Sequence, residues 1–184
     1  MRTRNIWLFL SLCLLGISIQ AQNLGKAPLH NYTPRVYKAS SANYDAVQDA
    51  RGVMYFGNFR GVLEYDGTNW ELITLPNRST VGSVAKDSLG RIYVGGVGEF
   101  GYLAPDEQGQ LQFFSLFDQI DIPEAAQSSP VRVMGTETGA IFHIRNYPAL
   151  YVWNGDILST FDLQPELVTE AYTMFYLDRQ LYYS

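Results

Sequence analysis

The chain has 184 residues with 13 basic and 18 acidic side chains, a formal charge of −5, so it carries no basic footprint for nucleic acid. A single cysteine excludes a disulfide framework within the chain. An apolar share of 47 % with 13 tyrosines and 16 glycines marks a globular, turn-rich, β-prone polypeptide.

Arg2 and Arg4 precede an apolar stretch from Ile6 to Ile19 and the run Gln20-Ala21-Gln22, the tripartite pattern of a secretory signal. The stretch falls short of the ~18–20 residues that span a bilayer, so export is expected, to the periplasm, with cleavage after Ala21. Cys13 sits inside the apolar run behind Leu12, where lipid attachment needs a small residue. Loss of residues 1–21 removes two arginines, no acid and the one cysteine, leaving a chain two charges more negative and without thiol chemistry. Residues 22–42 read as a lead-in segment.

From residue 43 onward short aromatic and β-branched runs alternate with glycine turns, and one unit recurs. Its first copy, about 43–77, reads as four strands: Tyr44 to Asp49, Val53 to Gly57, Gly61 to Tyr65 and Trp70 to Leu75. The second, about 80–117, repeats them as Val81 to Lys86, Gly90 to Gly95, Gly101 to Ala104 and Gln110 to Leu116. An insertion around Asp118 to Ser129, with Asp118, Asp121 and Glu124, precedes the third copy. That copy, about 130–165, runs Val131 to Gly135, Gly139 to His143, Ala149 to Trp153 and Ile157 to Leu163. A fourth, 169–184, opens at Ala171 and stops inside its second strand, so the chain reads as a piece of a longer reading frame. A period near ~40–45 residues with four strands per unit predicts an all-β fold, a β-propeller of about three and a half blades, each a four-stranded antiparallel meander.

Turn chemistry supports the hairpins. Asp49-x-x-Gly52 and Asp87-x-x-Gly90 place a carboxylate to cap the turn and a glycine where φ must be positive, and Thr136-x-x-Gly139 keeps only the glycine. Asp66-Gly67 and Asn154-Gly155 are the pairs expected of two-residue type I′ hairpins. Blades stack face to face, so their middle strands should be apolar on both sides, as Val53 to Phe56 and Ile92 to Val94 are.

Gly52-x-x-Tyr55-Phe56-Gly57 followed by Gly61-Val62-Leu63-x-Tyr65-Asp66-Gly67 resembles the two-component-regulator propeller repeat of periplasmic sensors, and the resemblance covers about residues 40–184. The chain departs from that pattern in having Tyr55, Tyr93 and Phe142 where the family has tryptophan, and in lacking a threonine soon after the strand glycine. The resemblance implies the sensing end of a large exported protein. Downstream it implies an immunoglobulin-like domain named for three tyrosines, a membrane helix, and a histidine kinase or helix-turn-helix output, often linked to glycan use. It implies membrane attachment only through those downstream regions, and allows a homodimer of the full-length protein.

No catalytic constellation is present, and no metal or cofactor is expected. Gly96-x-Gly98-x-x-Gly101 has dinucleotide-binding spacing, but a strand and Pro105 follow where a helix would have to start, so these glycines read as blade turns. His30 and His143 have no second ligand at metal-binding spacing, and His143 reads as a packed central-strand residue. The triplets starting at Asn31 and Asn77 read as ordinary loop sequence. In a meander the loop between the second and third strands lies at the same end as the connection to the next blade. Those loops hold Asn58-Phe59-Arg60, Val97-Gly98-Glu99-Phe100 and Arg145-Asn146-Tyr147, each with an aromatic beside a charged or amide group. They are the expected ligand face, for a small molecule or oligosaccharide whose rings stack on Phe59, Phe100 and Tyr147. The packing alternative is that these three aromatics plug the gaps between blades. Two further readings stand beside sensing: a propeller glycan hydrolase or lyase whose catalytic groups lie beyond Ser184, and a scaffold for a protein partner.

Overall fold

A computed structural model describes residues 29–163 and 174–183. The expected signal peptide, much of the lead-in and the opening of the fourth copy at Ala171 lie outside the described residues. Of two units, 1–31 and 32–184, the second holds every described strand. Among the described residues no helix is long and apolar enough to cross a membrane.

The second unit begins with one helical turn, α1 (Pro34–Tyr37), opened by a proline whose missing N–H costs nothing at a helix start. Three meanders follow. The first sheet is β1 (Asn43–Gln48), β2 (Met54–Asn58), β3 (Gly61–Tyr65) and β4 (Trp70–Ile73); the second is β5 (Val81–Lys86), β6 (Ile92–Gly96), β7 (Phe100–Pro105) and β8 (Leu111–Ser115); the third is β9 (Val131–Gly135), β10 (Ala140–Ile144), β11 (Ala149–Trp153) and β12 (Leu158–Asp162). In each, the strands lie side by side in chain order and antiparallel. A hairpin, β13 (Met174–Leu177) and β14 (Gln180–Tyr183), opens the fourth. This is a β-propeller of about three and a half blades, as the repeat predicts.

The first strand of each blade lies beside the first strand of the next, β1 against β5 and β5 against β9. Side chains join these inner strands. Asp45 accepts the Val84 N–H at 3.0 Å, Ser83 Oγ accepts the Val133 N–H at 3.1 Å, and Lys86 donates to the Gln48 carbonyl at 2.6 Å. The apolar core fills the gaps between blades. Tyr55, Val62, Ile73, Val84 and Val94 pack between the first and second, and Tyr93, Phe100, Val133, Phe142 and Tyr151 between the second and third. Central strands β6 and β10 are buried along their whole length, as sheets covered on both faces require.

The turns explain the pairing and correct two expectations. Asp49 and Asp87 cap their turns, each carboxylate accepting main-chain N–H groups at 2.8–3.0 Å, with Gly90 at φ 89°. The Asp66 and Asn154 hairpins are not two-residue type I′ turns. Tyr65 pairs with Trp70 and Trp153 with Leu158, so each loop has four residues, and Asp66 Oδ1 accepts from the Thr68 and Asn69 N–H groups. Neither Asp66 nor Asn154 has a positive φ; only the following glycine does. A short polar side chain that folds back on the main chain supplies the reversal instead.

The third blade carries a second correction. Its first turn closes with the Thr136 N–H on the Gly139 carbonyl, one residue shorter than the turns closed by Asp49 on Val53 and Asp87 on Arg91. Successive strand residues point to opposite faces, so one missing residue inverts the side chains relative to the turn glycine. Tyr55 and Tyr93 face the following blade, but Phe142, the same distance from its glycine, faces the preceding one and stacks on Phe100 with ring centroids 4.4 Å apart. Ile141 takes the place equivalent to Tyr55 and Tyr93.

Candidate functional site

The expected ligand face sits where the meander puts it. Each loop between second and third strands is tied by one main-chain hydrogen bond to the connection entering its blade: Phe59 N–H to the Ala42 carbonyl, Val97 to Thr80, and Arg145 to Pro130, at 3.0–3.1 Å. Phe59, Val97 and Arg145 are therefore equivalent positions at one end of the propeller.

The eight residues expected there separate into two groups. Phe59, Arg60, Arg145 and Asn146 are exposed, Phe59 at 56 %. Asn58, Glu99 and Phe100 are buried, and Tyr147 is half-buried. Asn58 is a strut: its amide donates to the Ser40 carbonyl and to Asn43 Oδ1, both at 2.7 Å, and its oxygen accepts from the Ser40 and Arg60 N–H groups. Phe100 is fully enclosed, with Phe142, Tyr151 and Phe117 around it, and Tyr147 packs on the same cluster. Phe100 therefore offers no open face for stacking, while Tyr147 packs on the cluster and keeps part of its surface exposed.

The insertion explains the burial of the second loop. Its two 3₁₀ turns, Phe117–Gln119 and Glu124–Ala126, lie across that end of the second blade, with Ile122 buried. The Gly98 N–H donates to the Ser129 carbonyl at 2.9 Å, and a Cβ on Gly98 would lie 2.0 Å from the Gln127 carbonyl oxygen. Glu99 beneath it accepts from Ser115 Oγ at 2.7 Å and from the Phe100 N–H at 3.1 Å, and burial raises its pKa. Of the glycine-spaced run, Gly96 ends β6, Gly98 makes the turn at φ 63° and Gly101 lies inside β7, so a strand follows and no helix starts there.

Sequence reasoning missed a cavity at the junction of the third and fourth blades, bordered also by the inner strand of the second. It measures about 490 Å³, and among its lining residues are Ser83, Arg132, His143, Arg145, Asn146 and Met174. That volume lies in the range of small-molecule sites. Its origin is a break in the repeat. The cross-strand pairs Asp45 with Gly57, Ser83 with Gly95 and Arg132 with His143 occupy the same place in three blades, on the face turned to the next blade. In the first two, glycine lets the next inner strand close in: a Cβ on Gly57 would lie 2.9 Å from the Val81 carbonyl oxygen, and one on Gly95 only 2.3 Å from that of Val131. In the third, an imidazole fills that place and holds the next strand off. Arg132 takes over the tether, its Nε donating to the Met174 carbonyl at 3.2 Å.

Burial lowers the His143 pKa, which a hydrogen bond to the Tyr147 main chain partly offsets. The imidazole is therefore neutral at neutral pH. Its Nε2 has no protein partner. Among the described residues neither Arg132 nor Arg145 forms an ion pair, and no acidic side chain lines the cavity. No cluster of three or more metal-ligating side chains occurs among the described residues.

No family model matches the chain, and no curated protein matches it. Its structure is similar to that of catalytically inactive virginiamycin B lyase from Staphylococcus aureus with quinupristin, at 12 % identity and TM-score 0.56, over 88 % of this chain and 54 % of that one. A streptogramin B lyase matches at 12 % identity and TM-score 0.55, over 75 % and 46 %. The extracellular domain of what is described as a hybrid two-component system from B. thetaiotaomicron matches at 18 % identity and TM-score 0.51, over 79 % and 19 %. The chain thus spans about half the length of the lyases and about a fifth of the sensor chain, and at these identities the shared property is the propeller fold.

Proposed function

We propose that the chain is an extracytoplasmic ligand-sensing propeller module of a signal-transduction protein, acting by binding a glycan or other small ligand without chemistry. The observation that carries this reading is the cavity, because polar and cationic side chains line it at the loop-bearing end of an otherwise apolar stack, and Arg145 and Asn146 of the expected ligand face are among them. The secretory pattern of residues 1–21 and the similarity to an extracellular domain of a two-component system support it.

The test is calorimetric titration of the intact exported protein with a panel of oligosaccharides, beside a variant carrying Arg145→Ala and Asn146→Gly. Glycine is chosen because Asn146 sits at φ 60°, where alanine is strained. Binding heat that disappears in the variant supports the reading, and heat that survives unchanged moves the ligand elsewhere. A lyase is the second reading, favoured by the two lyase neighbours and by a neutral histidine in the cavity. Cleavage products appearing on incubation, and lost with His143→Gln, would select it.

A further inference from the structure

The chemistry of the cavity between the third and fourth blades narrows the class of ligand, an inference that rests on the binding reading above. Arg132 and Arg145 both line the cavity in a molecule of net charge −5, and no carboxylate is among its described lining residues. Arg132 uses Nε on the Met174 carbonyl, which fixes the stem; among the described residues its terminal nitrogens and the Arg145 side chain make no hydrogen bond or ion pair. Guanidinium groups in this condition select oxyanions.

His143 adds a second requirement. Its residue is 9 % exposed, and its buried Nε2 lacks a protein partner. A buried ring nitrogen left unpaired is costly, and a hydroxyl, which can donate or accept, satisfies it in either tautomer. Ser83 cannot serve, because its Oγ is engaged with Val133 and Asp45.

We propose that this cavity takes a sugar acid, its oxyanion held by Arg145 and Arg132 and one of its hydroxyls hydrogen-bonded to His143 Nε2. A carboxylate and a sulfate ester present the same oxyanion chemistry. The site exists because the third blade replaces the Ser83 and Gly95 pair with Arg132 and His143, so it belongs to one junction and not to every blade.

Calorimetry on the intact protein with glucuronate, glucose 6-sulfate, glucose and acetate separates the requirements. Glucuronate or the sulfate ester should bind, and glucose, which lacks the anion, and acetate, which lacks the hydroxyls, should each bind at least about tenfold more weakly. The better of the two charged sugars identifies the oxyanion. Arg145→Gln should weaken the charged sugar by about tenfold to a hundredfold while leaving the circular dichroism spectrum unchanged, since the residue is exposed. His143→Phe should bring the charged sugar down towards acetate. Glucose binding as well as glucuronate, or Arg145→Gln without effect, overturns the sugar-acid assignment and leaves binding at this end standing. No heat from any of the four probes overturns the assignment as well, and silence across the wider oligosaccharide panel removes the binding reading with it.

Discussion

Phe59 and Phe100 stand one loop apart in the repeat and differ in everything a substitution would test. Phe100→Ala should cost about 3–5 kcal/mol, because it empties a fully enclosed site between two blades. Phe59→Ala, at an exposed position, should stay within about 0.5 kcal/mol. Denaturant unfolding of the two variants checks both values. From sequence the two looked alike, each an aromatic beside a polar neighbour in a loop, but Phe100 opens strand β7 opposite Gly95, the place that Val62 holds opposite Gly57, and packs against the third blade, whereas Phe59 lies in the loop itself. Asn58 shows the same blindness: an amide in a loop reads as a ligand contact until its partners at Ser40 and Asn43 are known. His143 makes a prediction of its own. Burial lowers its pKa below the ordinary 6.5, so the neutral ring stabilises the fold above that value, and this contribution is lost as pH falls from about 6.5 through the lowered value. The melting temperature should therefore drop on acidification more steeply in the wild type than in His143→Gln.

At the scale of the strand, the blades were legible because four cues agreed: aromatic and β-branched runs, aspartate-capped turns, glycine at the reversals and a regular period. The strand bounds follow those cues to within one or two residues in the first three copies. The turn types were less legible, since Asp66-Gly67 satisfies both a two-residue hairpin and a four-residue loop, and register across the sheet decides between them. The close approach between blades was not legible at all, because it involves a main-chain oxygen from another repeat. Gly95→Ala should cost about 1–3 kcal/mol by pushing the Val131 carbonyl away, whereas Gly67→Ala meets no neighbouring atom within 4 Å and pays only for its φ of 96°. Comparison of the two melts separates interblade packing from turn strain.

Across the whole molecule, the blades cohere through two kinds of contact: apolar faces that fill each gap, and short polar tethers between inner strands that lie too far apart to share a main-chain ladder. The tether residues are Asp45, Ser83 and Arg132, and their equivalence emerges only from the paired register. Ser83→Ala strips the Val133 N–H of its acceptor inside a buried junction, which should cost about 1–3 kcal/mol and speed exchange of that amide. The residues that make the cavity escaped the sequence for the same reason that they matter. Counting from the turn glycine pairs His143 with Phe56 and Val94, two apolar strand residues, and hides its true counterparts, Gly57 and Gly95. The four-residue turn at Thr136–Gly139 thus has a consequence for how such chains are compared: a gap placed one position wrong rotates half a blade by 180° on paper. Related repeats are best superposed by the atoms their side chains confront, with the punctuation between them allowed to stretch or shrink.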